Sequence, residues 1–173
     1  MTPVQMKLFM NDVERVLHAP GNLPGGKLTE MAVVLDYKLP LEQLVSISAD
    51  IVSALKKKDA LFRNVRLNMV KWISNERIVT ETLPLSMLGI GRGFGDYEKM
   101  PHTADKAIEV LAGKLKLFHA RSRLVILVSD GQWQVHNQEV WKSNLQPFLH
   151  KKWIWVDRNG DSKGKVADFF DRF

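Results

Sequence analysis

The run Arg123-Leu124-Val125-Ile126-Leu127-Val128-Ser129-Asp130-Gly131 decides the fold of this chain. Five consecutive apolar residues end in a polar turn that carries a carboxylate and a glycine. A short, unbroken apolar run of this kind is the pattern of a strand buried on both faces, the habit of a central parallel strand. In open α/β sheets, ligands gather at the carboxyl ends of such strands. Asp130 therefore stands where a binding or catalytic group is expected.

Upstream, Met31-Ala32-Val33-Val34-Leu35-Asp36 repeats the pattern and again closes on an aspartate. Before it, Met6, Phe9, Met10, Val13 and Leu17 give residues 3–18 one apolar helical face. Pro20-Gly21 and Pro24-Gly25-Gly26 break the chain between the two. After Asp36, Leu41, Leu44, Val45, Ile51, Val52 and Leu55 mark a second helix ending in Lys56 to Lys58. Residues 64–73 and 78–85 are β-rich and joined by Ser74-Asn75-Glu76-Arg77, an antiparallel hairpin whose second strand belongs at an edge. A loop with Gly89, Gly91, Gly93 and Gly95 follows, then a helix from Thr103 to about Phe118. Downstream of the opening run come a helix with Val140, Trp141, Leu145 and Phe148, a strand over residues 153–156, and a last helix with Val166, Phe169, Phe170 and Phe173. Strands alternating with helices imply crossovers and a mainly parallel sheet with helices on both faces.

The chain has 173 residues, 45% of them apolar and 25% charged, which suits a globular protein with a proper core. It contains no cysteine, so disulfides, thiolate metal sites and cysteine nucleophiles are excluded. No apolar run reaches the roughly 20 residues of a membrane span. Lys7, Asp12 and Glu14 lie where a signal peptide would be apolar, so a cytoplasmic location is expected and no membrane partner. The formal charge is +6, but the lysines are spread along the chain, and no basic stripe interleaves with exposed aromatics. Nucleic acid is therefore not an expected partner.

Asp36, Thr103 and Asp130 fall at two strand ends and a helix start, and a parallel sheet would bring all three to one edge. Such oxygen ligands suit Mg²⁺ or Mn²⁺. Leu-Val-Ser-Asp-Gly at the end of a central strand resembles the fourth strand of a von Willebrand factor A domain, and the order of elements over residues 30–173 is similar to that family's. The resemblance implies a three-layer Rossmann-like fold, with a mostly parallel sheet and one antiparallel edge strand, and leaves residues 1–29 as an N-terminal helix and connector. It also implies a metal-ion-dependent adhesion site of pattern Asp-x-Ser-x-Ser, a later Thr and the fourth-strand Asp. Here the first motif reads Asp36-Tyr37-Lys38-Leu39-Pro40, with Lys38 and Pro40 at the serine positions. Thr103 and Asp130 fit the other two positions. The expectation is a site without a bound metal, in which Lys38 points at Asp36 or Asp130. The alternative is a Mg²⁺- or Mn²⁺-dependent ligand-binding domain or enzyme built on Asp36, Thr103 and Asp130.

Trp133 follows Asp130-Gly131-Gln132 in the same loop and is either a packing lid or a binding anchor. Asp157-Arg158-Asn159-Gly160-Asp161 has the spacing of a calcium loop, but Ser162 stands where that loop requires glycine, and a strand-to-helix turn explains the same residues. The glycine-rich loop lacks the Lys-Ser/Thr ending of a phosphate cradle. No histidine pair or serine elbow marks a hydrolase. The expected role is thus a non-catalytic, protein-binding adaptor module using Asp36, Lys38, Thr103, Asp130 and Trp133.

Overall fold

The computed structural model describes residues 1–89, 94–95, 97, 105–145, 149 and 151–170. Six strands, β1 (Glu30–Asp36), β2 (Arg66–Trp72), β3 (Ile78–Leu83), β4 (Val125–Val128), β5 (Trp153–Val156) and β6 (Ser162–Lys165), form one sheet in the order β3-β2-β1-β4-β5-β6. β2, β1, β4 and β5 run parallel, and β3 lies antiparallel on β2 at one edge. The opening run of the sequence is β4, inside the sheet between β1 and β5. At the other edge β6 pairs antiparallel with β5, with a register irregularity between Ile154 and Val156. Its residues, Ser162-Lys163-Gly164-Lys165, include no β-branched or aromatic side chain, so nothing in the sequence announced a strand.

The helices are α1 (Pro3–Leu17), α2 (Leu41–Lys56), α3 (Asp59–Phe62), α4 (Ile108–Phe118), α5 (Gln138–Val140, running into a π-helical turn Trp141–Leu145) and α6 (Val166–Phe170). Alternate residues of β1, β2, β4 and β5 feed two separate cores. Met31, Val33 and Leu35 of β1 pack with Phe9 and Val13 of α1 and Leu44 and Ile51 of α2. Ala32 and Val34 face the other way, toward Ile108, Leu111 and Leu115 of α4 and Trp141. This is why the central strands read as continuous apolar runs instead of alternating ones. Each buried Val, Leu or Ile contributes about 1.5–3 kcal/mol.

α1 starts with a reciprocal cap: Thr2 N–H donates to Gln5 Oε1 at 2.7 Å, and Gln5 N–H donates to Thr2 Oγ1 at 3.2 Å. Gln5 Nε2 also donates to Asn159 O (3.0 Å) and Asp161 Oδ1 (2.7 Å), tying α1 to the β5–β6 turn. α4 begins at Ile108, later than the Thr103 start the sequence predicts. Ala107 is extended (φ −96°, ψ 120°) and bridges Gln134, so the backbone at 106–107 is committed to strand-like pairing and cannot join the helix. Among the described residues no helix is long and apolar enough to cross a membrane.

Candidate functional site

The carboxyl ends of β1 and β2 lie in register, with Asp36 opposite Trp72, and the residue after β4, Ser129, comes up beside them. Asp36 is only 3% exposed. Its Oδ1 accepts the Lys38 N–H at 3.0 Å and an ion-paired hydrogen bond from the Lys106 ammonium. Its Oδ2 accepts the Ser129 hydroxyl at 2.7 Å. Lys106 is 1% exposed; its Nζ also donates to Trp72 O at 2.7 Å and lies 5.3 Å from the Trp72 ring centroid. Burial lowers the Lys106 pKa below the ordinary lysine value, and the charges of Asp36 and Asp130 pull it back up. The ammonium is thus held by a carboxylate, a carbonyl and an aromatic face.

Asp130 lies at the same edge. Lys38 Nζ is 3.4 Å from its Oδ2, and Oδ1 accepts the Gln132 N–H at 2.9 Å. The turn depends on Gly131, whose φ of +80° favours glycine and where a Cβ would fall 2.4 Å from the Trp155 ring. Trp155 Nε1 donates to Ser129 O at 2.9 Å. Trp133 packs edge-on against Trp155 (4.9 Å between centroids) and Phe169 (5.8 Å), with 8% exposure. Its ring is taken up by the second core, the lid alternative of the two that the sequence left open.

The structure therefore brings Asp36, Lys38 and Asp130 to one edge with Trp133 packed behind them. Thr103 lies outside the described residues. These residues, as placed, do not fit a divalent ion: both Asp36 oxygens are engaged, and the Lys106 ammonium sits on the carboxylate that would bind it. Lys106 is the residue that sequence reasoning missed. The available signal was a deficit, two carboxylates at one edge with a single cation in the motif between them. Asp157 Oδ1 accepts the N–H groups of Asn159 (2.8 Å) and Asp161 (3.0 Å), and Oδ2 lies 3.5 Å from Lys163 Nζ. That segment is the turn of the β5–β6 hairpin, not the strand-to-helix turn the sequence predicts. Gly89 (φ +84°) serves close packing, since a Cβ there would meet Ala49 N of α2 at 2.5 Å; residues 90–93, which hold Gly91 and Gly93, lie outside the described residues.

No family model, no curated protein and no solved structure matches this chain.

Proposed function

We propose that this chain is a cytoplasmic, non-catalytic protein-binding module of von Willebrand A type, three-layered and Rossmann-like, in which lysines stand where that family holds a divalent ion. The observation that carries the reading is the Lys106 ammonium on Asp36 and Trp72 O, beside the Lys38–Asp130 pair. Two carboxylates close together repel, and a cation between them relieves the repulsion. A lysine does so from within the chain, as a compact charge with three donors. The edge is then built without an external ion, and its exposed residues, Gln132 among them, are left to meet another protein in the manner of an adaptor.

The test has two arms. Titration calorimetry with Mg²⁺ and Mn²⁺ gives no binding heat with the wild-type chain; micromolar affinity would overturn the metal-free reading and return Asp36, Thr103 and Asp130 to the role of ligands. Affinity capture from the native cell, with wild type beside Lys38→Glu and Gln132→Arg, yields a protein partner held by the wild type and lost by both variants. A partner set indifferent to these two residues would remove the edge from the reading.

A further inference from the structure

The cations that lie scattered in the sequence meet at the opposite edge of the sheet, where the four parallel strands begin side by side. Glu30 lies opposite Arg66, and Val125 opposite both Ala32 and Trp153. From β2 to β5 this edge is three strand spacings wide, about 14 Å. Arg121 and Arg123 lead into β4, and Lys151 and Lys152 lead into β5. Lys152 Nζ donates to Ala120 O at 3.1 Å, which draws those two turns together. On the other side of β1, Lys56 at the end of α2 joins Arg63 and Arg66 in lining an open groove of about 380 Å³. Of the carboxylates nearby, Asp59 pairs with Arg63 at 3.0 Å and Glu14 with Lys58, while Glu30, which accepts from Asn68 Nδ2 at 2.6 Å, keeps its charge within the row. Beside the row, at the end of α4, Phe118 is 68% exposed and Leu117 74%. Phe118 shares a small recess with Lys114 and His119, whose pKa burial lowers, with Glu30 opposing that shift and Arg66 adding to it.

We propose that this amino-terminal edge binds single-stranded nucleic acid, the phosphates following the cations from the Arg66 groove to Lys151 and a base stacking on Phe118. A basic row with an exposed aromatic beside it is the combination such strands require: charge for the backbone and a π-face for a base. Part of the row also borders an open groove, lined by Lys56, Arg63 and the exposed Arg66. A flexible strand can follow such a groove along the edge, whereas a flat bilayer meets only its rim. This surface is separate from the Asp36–Asp130 edge, so the two readings stand or fall independently.

The experiment is fluorescence anisotropy of a labelled oligouridylate of about 16 nucleotides, the upper site size of a single-strand groove, titrated with the full chain over a salt series. The expected result is saturable binding whose log affinity falls linearly with log salt. Arg66→Glu with Arg121→Glu abolishes it, and Phe118→Ala weakens it by roughly 5- to 150-fold, the range for one stacked base. The charge-matched control Arg158→Glu with Lys163→Glu, at the far edge, keeps most of the affinity. Circular dichroism on every variant confirms folding. Absence of binding at low salt, or an equal loss in the control pair, would overturn the proposal. So would equal affinity for polyglutamate or for phosphatidylserine vesicles, which would assign the edge to acidic proteins or to membranes.

Discussion

At the scale of single residues, the Asp36–Lys106 pair is the most consequential contact in the molecule. Two opposite charges have been taken out of water, a large cost that is offset only when geometry and additional hydrogen bonds are good. Both conditions hold: Asp36 receives Ser129 and the Lys38 N–H, while Lys106 reaches Trp72 O. The pair is therefore most sensitive to losing one member. Lys106→Met keeps the apolar stem and removes the charge, leaving a buried carboxylate uncompensated, and the expected destabilisation is about 3–5 kcal/mol. Asp36→Asn in the same chain removes the orphaned charge and recovers at least half of that loss. Urea unfolding of the two variants against wild type measures both numbers. A single Lys106→Met variant within about 1 kcal/mol of wild type, the ordinary range for a point change, would show that the ammonium is not what holds this edge together.

At the scale of elements, the legible parts are those in which one physical signal dominates. β1 and β4 could be read because both faces are buried and the apolar run has no interruption. α1 could be read from Met6, Phe9, Met10, Val13 and Leu17 at helical spacing, of which Phe9, Val13 and Leu17 are buried, and β3 from its hairpin connection to β2. What could not be read depends on pairing partners far away in sequence. β6 is a strand only because β5 offers it an open ladder, and α4 starts late only because Gln134 claims the backbone at 106–107. The Asp36 and Asp130 positions were legible as strand ends; Lys106 was not, since a lysine before a helix ordinarily reads as solvated. The legibility of α1 also sets an expectation for its energetics. Phe9 is fully buried in the same core as β1 and α2, and Gln5 anchors the helix to the β5–β6 turn. Phe9→Ala should cost about 3–5 kcal/mol in urea unfolding and preserve one cooperative transition. A loss below about 1 kcal/mol, or a separate early transition, would mean that α1 docks on the sheet without being needed by it.

At the scale of the whole molecule, a parallel sheet acts as a sorting device. Every turn that leads into a parallel strand comes to one edge, and every turn that leaves one comes to the other. Arg63, Arg121, Arg123, Lys151 and Lys152 each precede such a strand, so a charge of +6 that looks diffuse along the chain is concentrated in space. The carboxylates Asp36, Asp130 and Asp157 each end or follow one, and at that opposite edge each meets a lysine, Lys106, Lys38 and Lys163. Concentrated cations repel, and the effect is visible at Lys152. Burial first, then the charges of Arg123 and Lys151, push its pKa down from 10.5 to about 8. The unfolded chain, where that lysine titrates near its ordinary value, therefore binds more protons than the folded one between about pH 8 and 10.5. Stability must rise with pH across that window, because the folded state sheds a proton it holds poorly while the unfolded state keeps its own. The buried Lys106, also shifted downward, adds to the same trend, so the slope has to be isolated by difference. Lys152→Met retains the packed stem and removes the titration. Thermal melts of the two proteins from pH 7 to 10.5 should show the variant more stable at the low end, where wild type carries the crowded charge, with the gap closing as the pH rises past about 8. A gap that stays constant over the whole range would mean that Lys152 titrates as an ordinary lysine and that the amino-terminal edge is less crowded with charge than its geometry indicates.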